Sequence, residues 1–114
     1  MNPELRAAFE LEIAAASDAR GRGDLNLAFS HLERAHILGQ RHTRPHVRSH
    51  VGMLRIGWQR NDMREFIGQL TRIAAALVFS RIWVPLGNTG GANVSPIKPM
   101  PIPADLADAL DLEQ

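Results

Sequence analysis

The 114-residue sequence contains no cysteine. Disulfides, a thiolate nucleophile and cysteine-ligated zinc are therefore excluded, and a metal ion would need His, Asp, Glu, Met or backbone ligands. Positive and negative charges nearly balance, and the formal net charge of +1 gives no reason to expect a nucleic-acid or membrane-surface partner. The longest apolar run, IAAALVF, is about a third of a bilayer span. Because the opening MNPELRAAFELE also lacks the pattern of a secretory signal, we expect a cytoplasmic protein.

With an apolar content of 45%, the chain is long enough for one compact domain, and it is too short for two. We therefore predict a single helical domain over residues 1–114. Its expected parts are a four-helix core over 1–81, a packed strap over 82–103 and a short terminal helix over 104–114.

Four amphipathic stretches, separated by capping or breaking residues, occupy the first 80 residues. The predicted helices run from Pro3 to the GRGD break, from Asp24 to Gly39, from Pro45 to about Arg60, and from the Asn61-Asp62 cap to about Phe79. The pattern predicts an all-α fold of two antiparallel helical hairpins. Five side chains are expected to be buried between the hairpins: Leu5, Phe9, Leu32, Leu54 and Trp58.

Two segments of this layout resemble each other. GDLNLAFSHLERAHIL and NDMREFIGQLTRIAAA align at a shift of 38 residues, which pairs Asp24 with Asp62. The first segment is similar to the turn and second helix of a tetratricopeptide repeat, whereas the second has Asn61 in place of the turn glycine. This favours tetratricopeptide-like hairpins, with coincidental similarity of two amphipathic hairpins as the alternative.

The segment VPLGNTGGANVSPIKPMPIP differs from the rest of the chain because it holds five prolines and three glycines. No long helix or central strand can run through it. Its interleaved apolar residues have little use in a flexible linker. We therefore predict an ordered, extended strap from Pro85 to Pro103 that lies on the helices, followed by a short helix in ADLADALDL.

Three blocks, ERAHILGQ, RPHVRSHVGMLR and GNTGGANVSPIKPMPIPADL, occur in this order along nearly the whole chain. Together they resemble an uncharacterised bacterial domain family of about this length. The resemblance implies that the proline-rich strap belongs to the domain, and it implies no assigned activity. Members of that family often occur near heavy-metal resistance genes, so the resemblance favours a role in metal homeostasis or resistance.

All five histidines fall within residues 31–50, which span the second and third predicted helices. At about 100° per residue, His36 lies inside the apolar arc of the second helix. His46 and His50 are one turn apart on one face of the third helix, as two ligands of one ion must be. Because the short turn at residues 40–44 brings these helix ends together, we predict that the three imidazoles bind one transition-metal ion.

Glu33 is the fourth residue of the predicted metal site. It stands three residues before His36, in the Glu-x-x-His arrangement of carboxylate-bridged sites in helical bundles, so we expect it to bind the ion or a ligand imidazole. Neutral imidazoles suit zinc, copper and nickel. His42 could reach the same place, His31 lies at the margin of the apolar arc, and Met53 would matter only for a soft ion such as Cu(I).

Two other functions stay open at this point. One is a protein-interaction module, in which the histidines fill polar core positions and a groove between the hairpins holds a peptide or helix from a protein partner. The other is metal-assisted hydrolysis, which needs a general base near an open coordination position, and only Glu33 is a candidate. The sequence therefore favours a binding protein over an enzyme.

Several remaining features have simpler expected explanations. Glu65 and Gln69, at i,i+4 spacing, suggest a solvated helix face, and Trp58 and Trp83 are expected to be core aromatics. GNTGGAN lacks the lysine and hydroxyl of a phosphate-binding loop, so glycine-allowed turns are expected there. The charges are uneven, because six arginines lie between Glu33 and Asp62 with no acid among them. We expect the acidic end to fold against this basic hairpin, with an anionic ligand as the alternative; the acids are Asp105, Asp108, Asp111 and Glu113.

Overall fold

A computed structural model describes residues 1–80 and 82–111 of the chain. These residues form five helices and no strand, which confirms the predicted all-α fold. The helices are α1 (Pro3–Gly21), α2 (Leu25–Gly39), α3 (Thr43–Gln59), α4 (Met63–Phe79) and α5 (Ala104–Asp111). The terminal helix was predicted to reach residue 114, but residues 112–114 lie outside the described part. Within that part, no helix is long and apolar enough to cross a membrane.

The helices begin where the sequence places capping residues. The side chains of Asn2, Asp24 and Asp62 each accept a hydrogen bond from the backbone N–H three residues further on, at 2.8, 3.1 and 3.0 Å. Each bond satisfies one of the amide groups that a helix start leaves without a partner. Helix α3 has no such side-chain cap and begins at Thr43, so that Pro45 lies in its first turn.

The turns α1–α2 and α3–α4 share one backbone geometry, 38 residues apart. Gly23 and Asn61 both have positive φ, +80° and +56°, a conformation that glycine and asparagine adopt more readily than other residues. The next residue in each turn, Asp24 or Asp62, donates its backbone N–H to the carbonyl five residues earlier at 2.9 Å. The internal similarity therefore extends to the turns, while the assignment as tetratricopeptide-like stays a prediction.

Consecutive helices from α1 to α4 contact each other across three-residue connections, so each runs antiparallel to the next. Helix α5 packs on α1 and α2. Two groups of buried apolar side chains form the core. The first joins α1, α2 and α3 through Ala16, Ala19, Ala28, Phe29, Leu32, Met53 and Ile56. The second joins α1, α2 and α5 through Leu5, Phe9, Ala35, Ile37, Leu38 and Leu106.

The prediction for the buried face of α3 was wrong. Leu54 is only half-buried and Trp58 is 63% exposed. The buried residues of α3 are instead His46, Ser49, His50, Met53, Ile56 and Gly57. This face is rotated by one residue, or about 100°, from the apolar stripe of the sequence, which consists of Val47, Val51, Leu54 and Trp58. A Cβ on Gly57 would lie 3.2 Å from the backbone nitrogen of Phe66, so the missing side chain lets α4 approach α3 on this side.

The prediction of a solvated face at Glu65 and Gln69 was also wrong, because both residues are buried on the inner side of α4. Among the described helices, α4 contacts only α3, so its apolar outer side has no helix to pack against. That outer side is exposed at Met63, Ile67, Leu70, Leu77 and Val78. Trp83, expected in the core, is 57% exposed as well.

The proline-rich strap lies against the helices through hydrogen bonds to its backbone carbonyls. Gln40 donates to the carbonyl of Pro85 at 3.0 Å, and Gln69 donates to that of Gly90 at 2.9 Å. Arg72 donates to the carbonyl of Val94 at 3.0 Å. Helical side chains therefore satisfy polar groups that an irregular segment would otherwise leave to water.

The described part of the acidic end folds back as expected and contacts the basic hairpin at Arg34. Arg34 on α2 pairs with Asp105 at the start of α5 and donates to Glu12 on α1 at 2.8 Å. The Arg34 guanidinium lowers the pKa of the Asp105 carboxyl by direct hydrogen bonding. Glu113, the last of the predicted acids, lies outside the described residues.

Candidate metal centre

Three of the four predicted ligands come together where α2 ends and α3 begins. His36 lies in the last turn of α2, and His46 and His50 lie one turn apart in the first half of α3. The Nε2 atoms of His36 and His46 are 3.0 Å apart. Each of the three residues offers one ring nitrogen to a group whose atoms all lie within 4.8 Å of one another, and all three side chains are buried.

The outer nitrogens of His36 and His46 face hydrogen-bond acceptors. His36 Nδ1 lies 2.7 Å from the backbone carbonyl of Asn88, which can only accept. His46 Nδ1 lies 2.8 Å from the Ser80 hydroxyl oxygen, and this hydroxyl already donates its hydrogen to the carbonyl of Ala76. Both rings therefore carry their hydrogen on Nδ1.

The outer nitrogen of His50 faces an acceptor that is fixed by a longer network. Its Nδ1 lies 2.5 Å from the side-chain oxygen of Gln69. The amide nitrogen of Gln69 donates to the Glu65 carboxylate at 2.8 Å and to the carbonyl of Gly90 at 2.9 Å, which fixes the orientation of the amide. The same carboxylate oxygen accepts the backbone N–H of Ala92 at 3.0 Å. His50 therefore also carries its hydrogen on Nδ1.

These partners leave each ring with an unprotonated Nε2 when it is neutral. The lone pairs of His36 and His46 then face each other across 3.0 Å, an arrangement that is repulsive unless a cation lies between them. A metal-bound histidine has the same pattern, with one nitrogen on the ion and the N–H of the other on an oxygen.

Burial keeps the three rings neutral. It lowers the pKa of His46 to about 3 and that of His50 to about 4, and it lowers the pKa of His36 well below the usual value. The mutual proximity of the rings adds to the effect at His36 and His46, because two imidazolium charges would repel. Neutral imidazoles with free lone pairs are the form that binds transition metals.

Glu33, the fourth predicted ligand, is not part of this group. It is half-buried near Thr89 of the strap; burial raises the pKa of its carboxyl, and the Thr89 side chain lowers it. Each ring Nδ1 already has another acceptor, so no ligand imidazole donates to Glu33. Its position on the same helix arc as His36 was not sufficient, because strap residues occupy the space beside the ring.

The other two histidines lie outside the group of three rings. His31 Nδ1 is 2.7 Å from a carboxylate oxygen of Glu12, in an ion-pair cluster with Arg34. His42 is the N-cap residue of α3 and does not join the three rings. Met53 is fully buried in the first core group, as expected for a core methionine.

The glycine-rich stretch GNTGG has a structural role at this centre. Gly90 has φ of +82°, and a Cβ built on it would lie 2.6–2.8 Å from three atoms of the His36 ring. The strap can therefore cover the ring only where a side chain is missing. This agrees with the glycine-allowed turn expected from the sequence, which gave no sign of the contact with His36.

Replacing Gly90 by alanine is expected to destabilise the protein by about 1–3 kcal/mol through backbone strain at positive φ alone, and to displace the His36 ring. The free energy of unfolding in urea measures the effect. Gly21→Ala is the control, because nothing lies within 4 Å of its added Cβ and its φ is not positive. Equal stabilities of the two variants would contradict this explanation.

Sequence reasoning missed the residues that orient the rings. Glu65 and Gln69 are buried on the inner side of α4, and Ser80 is the C-cap residue of that helix. The i,i+4 spacing of Glu65 and Gln69 was the available signal, and these two residues were assigned to a solvated face. The acceptor at Asn88 is a backbone carbonyl, for which the side-chain sequence carries no signal.

Fold and centre together define an all-α protein with a buried cluster of three neutral histidines. Residues 3–110 match the family described as Protein of unknown function (DUF3703), so the chain belongs to that family. The predicted resemblance to an uncharacterised domain family of about this length is thereby confirmed. Neither the curated proteins nor the solved structures contain a match to the chain.

Proposed function

We propose that this protein binds one transition-metal ion through the Nε2 atoms of His36, His46 and His50. The observation that carries the proposal is the hydrogen-bond arrangement: all three Nδ1 atoms face acceptors, which leaves one lone pair on each of three rings whose offered nitrogens lie within 4.8 Å of one another. A buried cluster that served only for packing would have no need to exclude every donor from its centre.

The distances suit a small ion after modest side-chain movement. Bonds of about 2.0–2.1 Å in tetrahedral geometry place ligand nitrogens about 3.3 Å apart. The pair formed by His36 and His46 is at 3.0 Å, and the whole set lies within 4.8 Å. Shifts of about an ångström would close the set around an ion.

Nitrogen-only coordination and the absence of cysteine favour zinc, copper or nickel. Three protein ligands leave a fourth position open, which suits holding, transferring or sensing an ion. We assign the protein to metal homeostasis or resistance, a role that the family resemblance also favours. A cytoplasmic location stays a prediction.

The alternative is an interaction module with structural histidines. One observation favours it: α4 exposes an apolar stripe that includes Met63, Ile67 and Leu70. In that case one Nε2 must carry a hydrogen to bridge His36 and His46. The Ser80 hydroxyl would then have to turn from Ala76 and donate to His46 Nδ1. The tautomer of His46 therefore separates the two functions.

Metal titration of tag-free, chelator-treated protein tests the proposal. We expect one zinc, copper or nickel ion per chain by calorimetry and metal analysis. On binding, the nitrogen NMR signals of three Nε2 atoms should shift, while the Nδ1 atoms keep their hydrogens. Absence of saturable binding, together with an Nε2-protonated His46 in the metal-free protein, would favour the interaction module instead.

A further inference from the structure

A cavity of about 390 Å³ opens beside the three histidines, between α4 and the strap. The rings of His36, His46 and His50 form part of its wall. Much of the remaining wall is apolar, from Ala76, Phe79, Trp83, Val84, Pro96 and Ile97. The volume lies within the roughly 300–1,000 Å³ range of small-molecule sites. Because Phe79 and Trp83 are both lining residues and exposed, the cavity reaches the surface.

The charged side chain in the wall of this cavity is cationic, and the Glu65 carboxylate outside the wall lies within electrostatic range of it. Of the described residues that line the cavity, Arg72 is the only one with a permanently charged side chain. Its guanidinium is held in place by the carbonyls of Gly68 at 3.1 Å and Val94 at 3.0 Å. A divalent ion on the histidines would add to this charge, so an anionic group between the ion and Arg72 would be stabilised from both sides.

The side-chain amide of Gln40 is another polar group in the wall of the cavity. Gln40 is 1% exposed, and its side-chain nitrogen donates to the carbonyl of Pro85. Its side-chain oxygen is buried and has no hydrogen-bond partner among residues 1–80 and 82–111. An unsatisfied buried acceptor costs about 1–3 kcal/mol. A ligand that brings an N–H group into the cavity would supply the missing hydrogen bond.

We propose that the cavity binds a small carboxylic acid that carries an amide N–H group and an apolar side chain. The carboxylate occupies the fourth metal position beside Arg72, the N–H donates to Gln40, and the side chain fills the apolar wall. The proposal rests on the metal site proposed above. It goes further in naming a ligand class, which coordination by three histidines alone does not specify.

N-acetyl-leucine is the probe, and calorimetry of zinc-loaded protein is the measurement, with retained zinc verified afterwards. Three comparison compounds each lack one feature: N-acetylglycine lacks the side chain, N-acetyl-leucinamide lacks the carboxylate, and 4-methylpentanoate lacks the amide. We expect saturable binding of the probe, and affinities at least about tenfold weaker for the first two compounds and several-fold weaker for the third. Equal affinities for all four compounds would overturn the proposal.

Variants of Arg72 test the charge directly. Arg72→Gln should weaken probe binding at least about tenfold while zinc still binds, and Arg72→Lys should restore part of the loss. Arg64→Gln is the matched control on the same helix, because Arg64 is exposed and does not line the cavity. If Arg72→Gln lost zinc as well, Arg72→Lys would decide: probe affinity within about tenfold of the unmodified protein supports the role of charge, and a larger loss with zinc retained overturns it.

The two proposals fail in distinguishable ways. Absence of zinc binding by the unmodified protein contradicts the metal function itself. Zinc binding without probe binding overturns only the ligand proposal. Probe binding of equal strength with and without zinc also overturns the ligand proposal, because the carboxylate would then not occupy the metal's open position.

Discussion

Replacing His46 or His50 by alanine is expected to weaken zinc binding by more than about 100-fold. Residues that only orient metal ligands typically contribute 10–100-fold, so a direct ligand should contribute more. In the described part of the chain neither His31 nor Glu33 can take over, since His31 contacts Glu12 and Glu33 lies outside the group. Competition against a chromophoric zinc chelator at pH 7 measures the change.

His31→Ala is the matched control, because it removes an imidazole from the same stretch of sequence without touching the centre. Its zinc affinity should stay within about threefold of the unmodified protein, because His31 contacts Glu12 and lies outside the group of three rings. Gln69→Leu adds an intermediate case, expected to weaken zinc binding about 10–100-fold through loss of the acceptor for His50. Equal losses for His31→Ala and His46→Ala would contradict the assigned ligands.

Acid is expected to destabilise the metal-free protein through the same three rings. In the unfolded chain, histidine takes up a proton below about pH 6.5. In the folded protein, burial lowers the pKa of His50 to about 4 and that of His46 to about 3, and His36 titrates well below its usual range. Between pH 6.5 and about 4 the unfolded state therefore binds more protons, so the free energy of unfolding falls as the pH falls.

The expected loss is large. Each ring contributes up to about 1.4 kcal/mol per pH unit, so three rings contribute up to about 4 kcal/mol per unit, against a total of about 5–15 kcal/mol for a typical domain. Urea unfolding at pH 7, 6 and 5 with a chelator present measures the slope. Stoichiometric zinc should oppose the loss, because the ion binds the folded state.

His46→Gln serves as the control for the acid effect, since it removes one titrating ring and should lower the slope by about one proton. A free energy of unfolding that does not change between pH 6.5 and 4.5 would contradict neutral buried rings. The sequence alone predicts that metal affinity weakens below about pH 6.5, where free histidine protonates. In the folded protein that competition should begin nearer pH 4, so unfolding should limit metal binding in acid.

Local rules explain why part of this centre was predictable from the sequence. Asn2, Asp24 and Asp62 cap helices through hydrogen bonds to residues three positions away. Both partners of such a contact are close in sequence, so the sequence predicts it. The pairing of His46 with His50 follows from helical period, and a short connection places His36 opposite them. The residues of each contact are close in sequence, so the helix caps and the grouping of the three histidines depended little on the rest of the fold.

Tertiary structure decided which faces are buried and what surrounds the rings. Gln69 is buried because the inner side of α4 approaches α3 at Gly57. Trp58 lies on a different face of α3 from Gly57 and stays exposed. No described helix covers the outer side of α4. Glu33 was assigned to the site on helix geometry, yet the strap around Asn88 takes the space beside His36. These contacts join residues up to 52 positions apart, and their formation depends on how whole segments pack, which local sequence patterns do not specify.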